Sequence, residues 1–338
     1  MPPGTMASLA NKLAALLFFF AVSLRGQVGP AAESVPIRLD FSGPGMGTTF
    51  RIALYTTTEK KTLAATAVES AFLRLASLNA TFSDYEPNSE INRLAATAPT
   101  PWTASRDLLA LTTLSLKFAS DTHGAFDPTI GQLSRLWRST RQRQKLAPPD
   151  RLQKALSSFG WQSLLIRDST LTVTQPGLLL DFGGVAKGYA ADQMLATLKK
   201  NGFPIALVQA GGDTAAGDAP PSQSGWPITL LTEPNDPSPA IVTLANRSVS
   251  TSGDLHQFIE LDGIRYSHII DPKTGLGLTR RIACSVIAPD TTTSDALATA
   301  FCILGPEKGR SIAKKLGATV RWTWQDEAGA QHQAWFNP

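Results

Sequence analysis

Cysteine and histidine are scarce in this chain, and the scarcity removes most metalloenzyme chemistry. Of 338 residues, two are cysteine (Cys284, Cys302) and four are histidine (His123, His256, His268, His332). No HxxxH, HExxH or Cys/His cluster occurs, which argues against a zinc enzyme. Both cysteines sit in apolar stretches, IACSVIA and TAFCILG, where they either pair or are buried as small apolar residues. A Walker A loop is missing, and so is GxGxxG, so no dinucleotide Rossmann fingerprint is present. Charge of one sign is also lacking: 31 Lys and Arg against 27 Asp and Glu give a net charge of +4. Without a basic stripe, nucleic acid is not an expected partner. There is no internal repeat. Apolar runs are short as well. The longest, Leu13–Leu24 (LAALLFFFAVSL), falls short of the roughly 20 residues that cross a bilayer.

That run, with Lys12 before it, fits the core of a secretory signal. We expect a signal over 1–26, cut after small residues such as Ala21-Val22-Ser23 or within Gly26–Glu33. An uncleaved anchor is the alternative. No cysteine follows the run, which excludes lipoprotein anchoring there. Loss of Lys12 and Arg25 leaves a net charge of about +2. A linker is expected over 27–40 and one large domain over 41–338. The folded part is then exported: periplasmic, or anchored at the outer face of the inner membrane.

The most informative stretch is Leu178–Asp192, LLLDFGGVAKGYAAD. Leu178, Leu179 and Leu180 read as a buried strand with Asp181 at its exit. Gly183 and Gly184 allow a sharp turn and a close approach to a ligand. Helical spacing runs from Gly188 to Lys200, with Asn201-Gly202 as a C-cap. A helix start beside a glycine turn and Lys187 attracts phosphate; packing alone also makes such junctions. Further helices are predicted over 61–79, at the end of Phe82–Leu94 (capped by Asn88 or Ser89), over Ser105–Ser120, within His123–Leu136, over Arg151–Phe159, and from Ser294-Asp295 to Gly305-Pro306. Strands are predicted at Arg51–Tyr55, Ile205–Val208, Pro227–Leu231, Ala240–Leu244, before Asp271, and at Ser285–Ala288. Their irregular alternation argues for an α+β fold. The basic run Arg135–Lys145 (RLWRSTRQRQK) reads as a solvated helix face or a docking patch for an acidic partner.

Several residues suit chemistry. Asp295 and Thr299 share a helix face, a hard-oxygen pair suited to Mg²⁺; otherwise Asp295 offsets the helix dipole and Thr299 packs. His268 either serves as a general base or bonds the turn after it. Asp213, after Gly211-Gly212, binds a ribose or flavin edge or caps a turn. Met46 and Tyr85 either sandwich an aromatic base or pack.

The ordered segments GMGTTF, TFSDYEPNSEINRL, GAFDPTIGQLSRLW, LDFGGVAKGYAAD, LVQAGGD, STSGD, HIIDPKTG and SDALATAFCILG resemble the ApbE family, the FAD:protein FMN transferases. The resemblance covers about Gly45 to Gly309. It implies mixed or antiparallel sheets flanked by helices in one T-fold-related domain with two lobes. It implies FAD as substrate, Mg²⁺, and transfer of FMN to a Ser/Thr hydroxyl of an exported acceptor near the membrane surface, with AMP released. By the same resemblance, Met46 and Tyr85 hold the adenine end. Ala125, Phe126, Asp127, Asp181, Gly183, Lys187, Asp213, Thr251, His268, Ile269 and Ile270 contact FAD. Asp295, Thr299 and a carbonyl of Gly184 or Ala186 bind the metal, and His268 is the catalytic base. Ser267 and Gln209 stand where the family often has His and Asn, and His256 is left as a second histidine. A hydrolase that splits FAD with water and a non-catalytic FAD-binding protein are the competing classes.

Overall fold

A computed structural model of the chain describes residues 35–230, 239–254 and 257–338. The predicted signal, most of the EPNDPSP turn and His256 lie outside the described residues. The fold opens with strands β1 (Ile37–Gly45) and β2 (Thr48–Thr56), then helices α1 (Lys61–Phe82) and α2 (Glu90–Thr97). A short β3 (Trp102–Thr103) leads to α3 (Arg106–Asp121), α4 (Gly131–Arg143) and α5 (Pro149–Leu156). Strands β4 (Leu164–Arg167) and β5 (Thr170–Val173) precede α6 (Ala186–Lys200). Then come β6 (Ala206–Ala210), β7 (Asp213–Ala216), β8 (Trp226–Leu230), β9 (Ala240–Leu244), β10 (Arg247–Gly253), β11 (Phe258–Leu261), β12 (Ile264–Ser267) and β13 (Ile282–Ala288). Helix α7 (Thr291–Leu316) and strands β14 (Thr319–Gln325) and β15 (Gln331–Phe336) complete the chain.

Eight strands form one antiparallel sheet in the order β1-β2-β6-β7-β10-β13-β14-β15. Period-two alternation decides what each face covers. On β2, Phe50, Ile52 and Leu54 join the core shared with α1, α6 and α7, while Ala53 lies under Trp226, Ile228 and Leu244 of the β8–β9 hairpin. The sheet is therefore buried on both faces by different layers. A separate cluster joins Leu133 and Trp137 of α4 to Ile259, Leu261 and Tyr266 of the β11–β12 hairpin. The predicted α+β class, with antiparallel sheets flanked by helices, is what the chain adopts.

Four local expectations need correction. Leu178–Leu180 is not a strand; Leu179 makes a single bridge to Ile130. Its partner is the loop around Asp127-Pro128, where proline has no N–H to extend a ladder, and the Asp181 N–H ends on the Pro128 carbonyl at 2.8 Å. Helix α6 starts at Ala186, so Lys187 lies in its first turn. The cap of α7 is Asp290, whose side chain accepts from the Thr293 N–H at 2.7 Å; Asp295 sits a turn inside, buried. The helical path breaks at Gly305 (φ 72°), where the sequence predicts its end, and restarts with Pro306. Finally, β1 takes Ile37–Asp40 out of the predicted linker, because it pairs with β2 through the two-residue turn Met46-Gly47 (φ 45° and 74°).

Trp322 of β14 is fully buried against Phe301 of α7 (ring centroids 5.8 Å) and donates its indole N–H to the Phe301 carbonyl at 3.3 Å. Trp322→Ala is expected to cost about 3–5 kcal/mol. In a urea titration the midpoint should fall with the slope unchanged.

Candidate active site

Helices α6 and α7 start side by side, and their first turns interlock. An added Cβ at Gly188 would lie 2.4 Å from the Thr291 carbonyl oxygen and 2.8 Å from Asp295 Cβ, so only glycine permits this approach. The Gly188 N–H donates to Asp295 Oδ2 at 3.0 Å. Asp192, the last residue of LLLDFGGVAKGYAAD, accepts from the Thr291 and Thr292 N–H groups, each at 2.8 Å, and from the Thr292 hydroxyl at 2.6 Å. Thus α6 supplies a carboxylate at the N-terminus of α7, where the helix dipole favours one.

Lys187 lies between two buried acids. Its Nζ is 3.2 Å from Asp213 Oδ2 and 3.4 Å from Asp295 Oδ2. The contact to Asp213 is ionic but out of line for a hydrogen bond, which leaves Asp213 Oδ2 buried without one. Burial and then the Asp213 charge push the Asp295 carboxyl up to about 7, against the pull of Lys187 and the Gly188 N–H. Burial acts to lower Lys187, but Asp213 and Asp295 outweigh it and hold the ammonium above its ordinary range. One lysine thus serves two carboxylates, and with both ionised the cluster carries an excess negative charge.

This changes the reading of the glycine turn. The Ala186 N–H is taken by the Phe182 carbonyl at 2.7 Å and the Gly188 N–H by Asp295, so two donors expected to cradle a phosphate are already spent. Gly183 and Gly184 are absent from the positive-φ positions. Closeness is what they supply: a Cβ at Gly184 would lie 3.2 Å from Thr299 Oγ1, and one at Gly183 would lie 2.9 Å from Asp181 Oδ1. Gly184, Thr299 and Asp295 therefore meet at one corner. Among the described residues no three His, Cys, Asp or Glu side chains gather as metal ligands. One carboxylate, one hydroxyl and a backbone carbonyl are nevertheless hard donors that suit Mg²⁺.

His268 follows β12 and is half-buried. Its N–H and its Nδ1 both meet the Gln257 carbonyl, at 2.9 and 3.2 Å. Because a carbonyl only accepts, Nδ1 carries the proton and Nε2 is left basic. Burial, then the charges of Lys187 and Arg141, hold His268 below its ordinary range against that carbonyl. Ser267 Oγ accepts from the Ile269 N–H at 3.0 Å and fixes the turn. Ile269 and Ile270 are buried on either side of it, in different clusters.

The other predicted residues divide. Tyr85 is 74% exposed under the Arg138 guanidinium (4.3 Å to the ring centroid). A cavity of about 360 Å³ lined by Asp84, Tyr85, Asn92, Arg135 and Leu179 joins the Tyr85 segment to the glycine motif. Met46 sits at the β1–β2 turn, against the main core, and does not line this cavity. Asp181 accepts from Ser134 Oγ and from the Gly183 N–H. Asp127 is buried, with Oδ1 taken by the Thr129 N–H and hydroxyl (2.8 and 2.6 Å) and Oδ2 by the Trp161 N–H (3.3 Å). It holds its own loop, while Ala125 and Phe126 pack inside, Phe126 against Phe118. Ser248, Ser250 and Ser252 of β10 face α7, through Thr291, Ser294 and Thr299. Thr251 therefore points to the opposite face and bonds Ser285 at 2.8 Å. Cys284 and Cys302 are buried free thiols.

Sequence reasoning missed Gly188, Asp192, Ser252 and Gln257. All four lie in or beside quoted motifs. The strand alternation of STSGD could have singled out Ser252; the other three act through contacts distant in sequence.

The fold favours protonated Asp295, so the stability this supplies is present at low pH and is lost as pH rises toward 7. Asp295→Asn removes that loss while Asp213 still pairs with Lys187. With chelator present, the variant should gain on the parent between pH 5 and pH 8. The expected gain is about 1 kcal/mol or more, about 1.5 °C per kcal/mol in a thermal melt.

The chain is similar to known proteins in sequence and in fold. The FAD:protein FMN transferase of Klebsiella pneumoniae (strain 342) is 30% identical over 306 residues, covering 88% of this chain and 86% of that protein. The FAD:protein FMN transferase of Treponema pallidum (strain Nichols) is 32% identical over 293 residues, covering 80% of each. The crystal structure of Pseudomonas stutzeri flavinyl transferase ApbE, apo form, superposes with a TM-score of 0.78 at 30% identity, covering 89% of this chain and 95% of that one. The ApbE family itself matches residues 46–322, and the chain belongs to it.

Proposed function

We propose that this protein transfers the FMN moiety of FAD onto a Ser or Thr hydroxyl of an exported acceptor protein, in a Mg²⁺-dependent reaction that forms a phosphoester and releases AMP. Family membership and relatives named FAD:protein FMN transferase make it a transferase and support flavin transfer. The observation that carries the chemistry is the corner where Gly184 and Thr299 meet, with Asp295 one helical turn away and Lys187 between Asp295 and Asp213. Asp295, the Thr299 hydroxyl and the Gly184 carbonyl would hold Mg²⁺. When bound there, the ion neutralises charge on the pyrophosphate oxygens.

The chain's own residues do the rest. The acceptor oxygen forms a bond to the FMN-side phosphorus, the bond from that phosphorus to the AMP-side oxygen breaks, and AMP departs. Such transfer depends mainly on positioning and electrostatics. Lys187 keeps its charge throughout, because Asp213 still pairs with it if Asp295 is engaged elsewhere. His268 Nε2 takes the hydroxyl proton, in the tautomer that the Gln257 carbonyl fixes. Its low pKa keeps it unprotonated at neutral pH. The apolar leader at Leu13–Leu24 supports placing the reaction outside the cytoplasmic membrane.

The test incubates pure protein with FAD, Mg²⁺ and the exported and membrane protein fractions of the source cells. Flavin fluorescence on a denatured acceptor band is the expected result. Free FMN plus AMP would make the protein a hydrolase, and intact FAD a binding protein. His268→Ala should retain FAD binding and slow transfer about 10²–10⁴-fold; unchanged transfer removes it as the base. At saturating Mg²⁺, which holds Asp295 ionised, the acid limb of the parent's rate profile should have its midpoint below 6.5 and vanish in His268→Ala.

A further inference from the structure

We propose that the basic C-terminal end of α4, with the loop into α5, is the docking surface for an acidic segment of the acceptor protein. The proposal rests on the transferase reading and names the chemistry of its partner. Residues 135–154 carry Arg135, Arg138, Arg141, Arg143, Lys145, Arg151 and Lys154 against a single acid, Asp150. The whole chain is nearly balanced, with 31 cations to 27 acids, so this is a local concentration. Two of the seven are engaged: Arg138 pairs with Asp84 and stacks over Tyr85, and Arg135 donates to Asn92 Oδ1 at 3.2 Å. Arg141, Arg143, Lys145, Arg151 and Lys154 are exposed, and none forms an ion pair among the described residues. Arg141 and Arg143 also meet the negative end of the α4 dipole, but Lys145 and Arg151 lie beyond it.

Shape and position favour a protein segment. A concavity of about 260 Å³ opens between Ser139, Thr140, Arg143, Lys145, Leu146 and Arg151, and no acid lines it. Cations around a partly apolar hollow suit a carboxylate-bearing side chain with an apolar stem. Position adds the link to catalysis. Trp137 of α4 packs on Tyr266 of β12 (ring centroids 5.7 Å), two residues before His268. Arg141 lies one helical turn beyond Trp137, and its charge is felt at His268. This end of α4 is therefore close enough to His268 for a docked acceptor segment to reach its Nε2.

The test uses fluorescein-labelled decaglutamate and the full-length protein. Anisotropy should show binding at low salt that weakens at high salt, at least tenfold weaker binding to Arg143→Glu/Arg151→Glu, and none of decaglutamine. The charge-neutral Arg143→Gln/Lys145→Gln variant should fall between. FAD binding should be unchanged in both variants, which also reports folding. Saturating decaglutamate should reduce flavin transfer to acceptor bands by the parent protein. Equal peptide affinity in parent and variants, transfer indifferent to the peptide, or affinity for phosphatidylglycerol vesicles but not for the peptide would overturn the proposal. If the parent labels no acceptor at all, the transferase reading falls, and the peptide arm still decides the surface.

Discussion

The contact between α6 and α7 at Gly188 is the constraint on which the candidate site depends. Helices normally pack 8–10 Å apart, and a residue without a side chain lets backbone meet backbone. Here the approach is close enough for the Gly188 N–H to reach the Asp295 carboxylate one helix away. Asp192 then ties two N–H groups of α7 to the same helix. With both helix starts locked, Lys187 in the first turn of α6 has little choice but to lie between Asp295 and Asp213.

That placement sets the electrostatics. Two carboxylates withdrawn from water with one ammonium form a cluster that a second cation would complete. An anion cradle, suggested by a glycine turn at a helix start, fits this arrangement poorly, because its donors already serve a carbonyl and a carboxylate. The pyrophosphate of the proposed substrate and these acids can share the corner only if positive charge stands between them. In the proposed reaction a divalent ion would add to the charge that Lys187 supplies there.

The histidine belongs to a different part of the structure. The acids and Lys187 are held by the large sheet and its helices, whereas His268 is carried by the β11–β12 hairpin, whose Tyr266 packs on α4. Arg265 links the two parts. Its Nε donates to Asp254 Oδ2 at 2.9 Å and its Nη2 to the Asp254 carbonyl at 2.7 Å, which ties the hairpin to the end of β10. The base and the acids thus sit on separately packed elements, joined by Arg265 and by Ile269, which packs in the main core. The basic end of α4 belongs to the histidine side.

Much of this was legible in the sequence. Alternation on β2, Ser105 and Ser89 as caps, the helix closing at Asn201-Gly202 and the α+β class all follow from local periodicity and capping chemistry. The ordered motifs already named Gly184, Lys187, Asp213, Asp295, Thr299 and His268. Tertiary structure decided the rest, because it turned on groups far apart in the chain competing for the same partner. Leu178–Leu180 has the composition of a strand but meets a proline-bearing loop. Asp127 looks available and is consumed by Thr129 and Trp161. Thr251 faces away from α7 because its neighbours Ser250 and Ser252 face it. The glycine turn reads as a phosphate cradle until the partners of its N–H groups are known. Sequence pattern determined which residue types stand at each motif; only packing decided which of their atoms remain free to act.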